Sequence, residues 1–141
     1  MAQRRASATW EGDLFGGSGK VSALSSGLFT DAGVTWASRT EDSEGRTSPE
    51  ELIAGAHAAC FAMALSNELA SRGHVPSRVQ IEAICTFLDG KITTMALDVS
   101  AAVPDVDEAG FREGLSAAEG SCPVSNALRG NVAITVDGRL V

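Results

Sequence analysis

Histidine and cysteine are scarce in this sequence, two of the first and three of the second among 141 residues. No Cys-x-x-Cys pair occurs, so a zinc site has no ligand spacing to support it. Basic residues are also in deficit, 11 against 18 acidic, which gives a formal charge of −7 and leaves no basic run or arm. That balance excludes general nucleic-acid binding as the working expectation. No charged start followed by an apolar core marks a signal peptide, and the expected compartment is a reducing cytoplasm. In such a compartment three cysteines are thiols, redox-active thiols or ligands rather than structural bridges. Repeats and low-complexity tracts are absent, and residues 1–141 fit one domain able to bury about two thirds of its unfolded surface.

What is present is organised around Ser48-Pro-Glu-Glu-Leu-Ile-Ala-Gly-Ala-His-Ala-Ala-Cys-Phe-Ala-Met-Ala-Leu65. Ser48 suits an N-cap, Pro49 the first helical position, and Glu51 completes a Ser-x-x-Glu capping box. The pattern runs to a stop at Gly73, predicting a helix of roughly 23 residues, about 35 Å long. Its apolar residues fall nearly all round, which predicts burial, and its many Ala and Gly residues allow close approach of neighbours. Glu50, Glu51 and His57, and a shortage of large apolar side chains, argue against a membrane span.

Before this helix, Ala6–Glu11 and Lys20–Leu24 alternate as a hairpin around a glycine-rich turn, and Leu28–Thr30 with Val34–Ser38 suggests a third strand ending near Arg39. Gly16-Gly-Ser-Gly-Lys20 resembles a phosphate loop only superficially, since Leu14 and Val21 occupy positions that need Gly and Ser or Thr. After it, Val79–Phe87 and Ile92–Val103 alternate across Asp89-Gly90, a strong hairpin signal. Asp107–Glu119 has amphipathic helical spacing, Gly120 suggests its stop, and Ser121–Leu128 reads as a short second helix with Cys122 at or beside its N-cap and Pro123 at its first position. Val132–Val136 closes as a strand. The order βββ-α-ββ-αα-β predicts an α+β domain with antiparallel sheets.

The cysteines differ in environment. Cys85 is in phase with Val79, Ile81, Ala83 and Phe87, the pattern of inert core. Cys122 at a helix start would feel the positive end of the dipole and unpaired N–H groups, both of which favour a thiolate. Cys60 sits mid-helix, where packing and nucleophilic roles are both open until a cation is supplied from elsewhere. Arg39, Arg46, His57 and Arg72 are the nearest candidates in sequence. His57, one turn before Cys60, leaves a Cys–His pair open, although no acidic or amide residue is placed by sequence to orient it for hydrolysis. Glu50 lies ten residues before Cys60, out of reach of its sulfur but able to hold an arginine arriving over the helix start.

The helix sequence Ser48–Leu65, with Ser121-Cys-Pro-Val-Ser125 following 62 residues after Cys60, closely resembles the OsmC/Ohr family of thiol peroxidases. Trp10-Glu-Gly12 and Ser38-Arg-Thr40 resemble the OsmC branch, in which the arginine comes from the loop before the helix. The hydroperoxide-resistance branch instead places it in the first hairpin, where Lys20 is here the only cation. The resemblance implies an intertwined homodimer, with antiparallel sheets wrapped around long central helices. It implies that Cys60 is the peroxidatic thiolate, Cys122 the resolving thiol, Arg39 the activating cation and Glu50 its carboxylate partner. It also implies a hydroperoxide substrate, organic or hydrogen peroxide, and a dithiol reductant, of lipoyl type or similar, with no metal, haem, flavin or nicotinamide. A redox sensor or small-ligand binder on the same scaffold, and a hydrolase using Cys60 and His57, are the competing readings.

Overall fold

A computed structural model describes residues 1–141. In chain order the elements are β1 (Ala6–Glu11), β2 (Ser18–Ala23), β3 (Ala32–Val34), α1 (Trp36–Thr40), α2 (Pro49–Ser71), β4 (Arg78–Leu88), β5 (Lys91–Ala102), α3 (Glu108–Ser121), α4 (Pro123–Leu128) and β6 (Ala133–Leu140). Contacts divide the chain into two compact units, Met1–Leu52 and Ile53–Val141. The class is α+β, as the element order predicts.

In the first unit β1, β2 and β3 form an antiparallel sheet in that order, with Glu11 opposite Ser18 across the glycine-rich turn. That turn is internally bonded, with the Asp13 carboxylate accepting from the Gly16 N–H at 2.6 Å, and it is not a phosphate cradle. The expected third strand is shorter than its β-branched pattern suggests. Thr35 acts as an N-cap and starts helix α1. Its hydroxyl accepts from the Ser38 N–H at 3.0 Å while the Ser38 hydroxyl accepts from the Thr35 N–H at 2.9 Å. This reciprocal cap satisfies two otherwise orphaned donors and outweighs the local strand propensity of Val34-Thr-Trp. Arg39 therefore stands on a single helical turn and not at a strand end.

Helix α2 has the predicted length of 23 residues. Its start is half a capping box. Ser48 Oγ accepts from the Glu51 N–H at 3.1 Å, but the Glu51 carboxylate turns to the Thr47 hydroxyl at 2.6 Å. At the other end Gly73, with φ +86, and His74 return N–H bonds to Ala70 and Leu69, the Schellman arrangement. The expectation of all-round burial is corrected. His57, Phe61, Leu65 and Leu69, four residues apart, are buried, whereas Gly55, Ala56, Ala59 and Met63 are exposed on the single chain. An 18-residue window of α2 reaches a mean hydropathy of 1.2, long and apolar enough to cross a membrane by length and composition. That value comes largely from small Ala residues rather than large side chains.

The second unit is built on β4–β5–β6. The β4–β5 hairpin turns at Asp89 (φ +51) and Gly90 (φ +77), two adjacent left-handed residues that match the twist of the strands they join. β6 pairs parallel with β5, Thr94 opposite Ala133 through Ala101 opposite Leu140, so this sheet is mixed and the purely antiparallel expectation is corrected. A parallel neighbour requires a crossover of a dozen residues or more, which α3 and α4 provide. α3 begins at its Asp107 cap and runs through Gly120 to Ser121; β6 continues to Leu140, beyond the expected Val136. Phe61, Leu65 and Leu69 of α2, Met95, Leu97, Val99 and Ala101 of β5, and Phe111, Leu115 and Ala118 of α3 form one core that also encloses Cys122.

Candidate active site

Four residues were expected to carry chemistry, and they fall into two pairs, one in each unit. Cys122 closes α3 and is the N-cap of α4, with Pro123 at the first helical position. Its Sγ accepts from the Ser125 N–H at 3.5 Å and is fully buried. Cys60, 62 residues earlier and partly buried on α2, lies close enough to Cys122 that each thiol shifts the other's ionisation. The backbone N–H of Val124 serves both sulfurs, as the exposed donors at a helix start can. None of the three cysteines is joined in a disulfide.

The two thiols are biased in opposite directions. Burial pushes Cys60 up, the Val124 N–H offsets part of this, and Cys122 adds to the rise by hydrogen bonding and charge. Burial also opposes ionisation of Cys122, but the Ser125 hydroxyl and N–H, the Cys60 thiol and the Val124 N–H together outweigh it and leave its pKa below the ordinary value. Helix position alone ranks Cys122 as more acidic than an unassisted Cys60, and these directions agree with it, whereas the family resemblance reverses the ranking and makes Cys60 the attacking thiolate.

In the first unit, Arg39 Nε and Nη2 both reach Glu50 Oε1, at 2.9 and 2.8 Å. The Arg39 side chain is 28% exposed and that of Glu50 only 7%. Both donors converge on one oxygen, and Glu50 Oε2 is buried with no hydrogen-bond partner. Arg39 also lies over the Trp36 ring, 5.9 Å from its centroid, and Phe15 meets the same ring edge-on at 5.5 Å. Trp10, Leu14, Val34, Trp36 and Pro49 join Arg39 around an apolar cavity of about 310 Å³.

His57 is fully buried, and its hydrogen bond goes to Ser125 Oγ at 2.7 Å from Nε2, so the ring is directed at α4 and not at Cys60. Burial lowers its pKa and favours the neutral ring. A Cys60–His57 hydrolytic pair therefore lacks its hydrogen bond. No group of three His, Cys, Asp or Glu side chains is arranged to hold a metal ion. Cys85, on β4, packs against the hydrophobic core.

Ser125 and Trp36 were not singled out from the sequence. Ser125 had a signal, the Cys-x-x-Ser spacing that sets a capped N–H three residues on. Its link to His57 spans 68 residues and had none.

The family pattern described as OsmC-like protein matches residues 41–137. The chain is 38% identical over 141 residues to Peroxiredoxin OsmC of Escherichia coli (strain K12), covering 97% of this chain and 96% of that protein. It is 33% identical over 94 residues to the organic hydroperoxide resistance protein of Xanthomonas axonopodis pv. citri (strain 306), covering 64% and 65%. Among solved structures, the organic hydroperoxide resistance protein OhrB of Bacillus subtilis superposes with a TM-score of 0.72 at 24% identity, covering 96% and 98%. An OsmC-like protein from Mycoplasma pneumoniae does so at 0.73 and 16%, covering 99% and 98%, and these two likenesses establish the shared fold.

Proposed function

This chain belongs to the OsmC family and is a cysteine-based peroxidase, and we propose that it reduces organic hydroperoxides, and hydrogen peroxide, through Cys60 with Cys122 as resolving thiol. The observation that carries the reading is that two thiols 62 residues apart in sequence lie close enough for each to shift the ionisation of the other. A disulfide requires that proximity, and chance packing of two core cysteines does not require a helix start aimed at both.

In this cycle the Cys60 thiolate attacks one peroxide oxygen, the O–O bond breaks, and an alcohol or water leaves after protonation. Cys60 is left as a sulfenic acid, and Cys122 condenses with it before further oxidation, giving a disulfide and water. A dithiol, of lipoyl type or similar, then exchanges with the disulfide and restores both thiols. Electrons thus pass from dithiol to peroxide through sulfur alone, with no metal, haem, flavin or nicotinamide. Arg39 supplies the permanent charge that stabilises the Cys60 thiolate and polarises the peroxide, and Glu50 fixes the guanidinium. The raised pKa of Cys60 explains why such a cation is needed.

We read residues 1–141 as a single domain that works as an intertwined homodimer in a reducing cytoplasm. The exposed stripe of Gly55, Ala56, Ala59 and Met63 on α2 supports this, because small residues there let a second copy approach closely.

Intact-mass measurement and peptide mapping after one equivalent of tert-butyl hydroperoxide test the proposal. A Cys60–Cys122 link is expected; oxidation confined to other positions would refute it. The competing reading is a redox sensor using the same pair. Sustained peroxide consumption with excess dithiol separates enzyme from sensor.

A further inference from the structure

The buried pair His57 and Ser125 has no part in the cycle described above. Ser125 is 1% exposed, His57 is 0% exposed, and Ser125 is the third residue of the helix that Cys122 caps. We propose that His57 and Ser125 are positioning residues that form a fixed donor chain, His57 Nε2–H to Ser125 Oγ and Ser125 Oγ–H to Cys122 Sγ, which holds the resolving cysteine ready to attack.

The direction of the chain follows from counting donors. Ser125 Oγ lies 2.7 Å from His57 Nε2, and its other polar neighbour is Cys122, whose Sγ is 3.5 Å from the Ser125 N–H and whose pKa the Ser125 hydroxyl lowers. The hydroxyl has one proton and can serve only one of these two neighbours as donor. His57 Nδ1 is buried without a partner. A neutral imidazole carries its proton on one nitrogen, and a buried N–H left unpaired is rarer and costlier than an unpaired acceptor. The proton is therefore assigned to Nε2, where it is donated to Ser125. The serine proton is then committed to Cys122 Sγ, which the Ser125 N–H already approaches at 3.5 Å. Burial lowers the His57 pKa, which keeps the ring neutral and suits a fixed donor rather than a base.

The consequence falls on resolution, and here the inference rests on the peroxidase reading. The Cys122 thiolate pair attacks Cys60 Sγ, the S–S bond forms as the S–O bond breaks, and the departing hydroxide takes up the proton that Cys122 released. One thiol and one sulfenic acid become one disulfide and one water, with no further oxidant or reductant. Two donors on Cys122 from a single residue favour its ionised form and fix its sulfur beside Cys60.

The test begins with Cys60→Ser/Cys85→Ser, which leaves Cys122 as the only thiol, and reads thiolate absorbance at 240 nm and pH 7. Ser125→Ala and His57→Leu in that background are expected to lower the thiolate fraction by about tenfold, the effect of one lost hydrogen bond to a charged group. His57→Gln, which restores an N–H donor, and Ser125→Thr, which keeps the hydroxyl, are expected to recover most of it. A merely structural role would not give this rescue. If Ser125→Ala and His57→Leu match the parent, or if Gln and Thr do no better than Leu and Ala, the proposal is overturned. Should His57→Leu fail to fold, the Ser125→Ala and Ser125→Thr pair still decides. With all cysteines restored, Ser125→Ala is expected to raise dimedone capture of Cys60 sulfenic acid after one equivalent of hydroperoxide, and unchanged capture would count against it. The absorbance measurement involves no peroxide, so its outcome is independent of whether the chain is a peroxidase.

Discussion

At the scale of single residues, the three cysteines have three different environments and so three different expected phenotypes. Cys60→Ser should abolish dithiol-dependent peroxide consumption, and Cys122→Ser should leave one stoichiometric oxidation but fail to turn over. Cys85→Ser, altering a side chain that packs against the core, should leave activity within about twofold. A coupled assay and a single-turnover assay distinguish these outcomes. Glu50→Gln keeps the shape of the carboxylate but removes the charge that both Arg39 nitrogens reach. We expect kcat/KM to fall by on the order of tenfold or more, the usual result of loosening a positioned group, with the fold intact by circular dichroism. His57 gives a pH signature. Its folded pKa lies below the ordinary 6.5, so below about pH 6.5 the unfolded chain binds a proton that the folded chain does not. Stability present above that pH is lost as pH falls, until the folded ring itself protonates. Urea unfolding at pH 7.5 and 5.5 should show a larger loss for the wild type than for His57→Gln; equal losses would assign the pH dependence to the carboxylates.

At the scale of elements, Gly114 of α3 lies against Leu69 of α2 with no room for a side chain of its own. A Cβ on Gly114 would lie 2.6 Å from Leu69 Cδ2 and 3.2 Å from Leu69 Cγ, so the fully buried Leu69 side chain would have to shift. Gly114→Val is expected to destabilise by about 1 to 3 kcal/mol through overpacking, read as a lower urea midpoint at unchanged slope. This is also where sequence reading had its limits. Gly114 carries no turn signal, and its requirement comes entirely from a residue 45 positions away on another helix. By contrast the Asp89-Gly90 turn, the Cys122-Pro123 helix start and both ends of α2 were legible, because capping and turn geometry are settled within a few neighbouring residues. Helix α1 escaped notice because the Thr35–Ser38 cap is as local as the strand propensity it overrides, and pattern alone does not rank them.

At the scale of the whole molecule, α2 leaves the stripe of Gly55, Ala56, Ala59 and Met63 exposed on the single chain. Only 22% of its most apolar window is buried within the chain. A second copy of the chain is the cover we propose. Light scattering coupled to gel filtration should return about twice the chain mass, and a monomer at micromolar concentration would refute the dimer. Met63→Glu, a charge on the exposed stripe, should shift that equilibrium toward monomer.

The sequence by itself determined the α+β class, the 23-residue helix with Cys60 in its middle, the helix start at Cys122 and the family, since each is written in local spacing or in contiguous motifs. Tertiary structure alone decided that β6 runs parallel to β5, that only one stripe of α2 is covered by its own chain, and that His57 reaches Ser125 rather than Cys60. Strand direction, burial and long-range hydrogen bonds depend on where the chain returns in space, and residue periodicity is the same whichever way it returns.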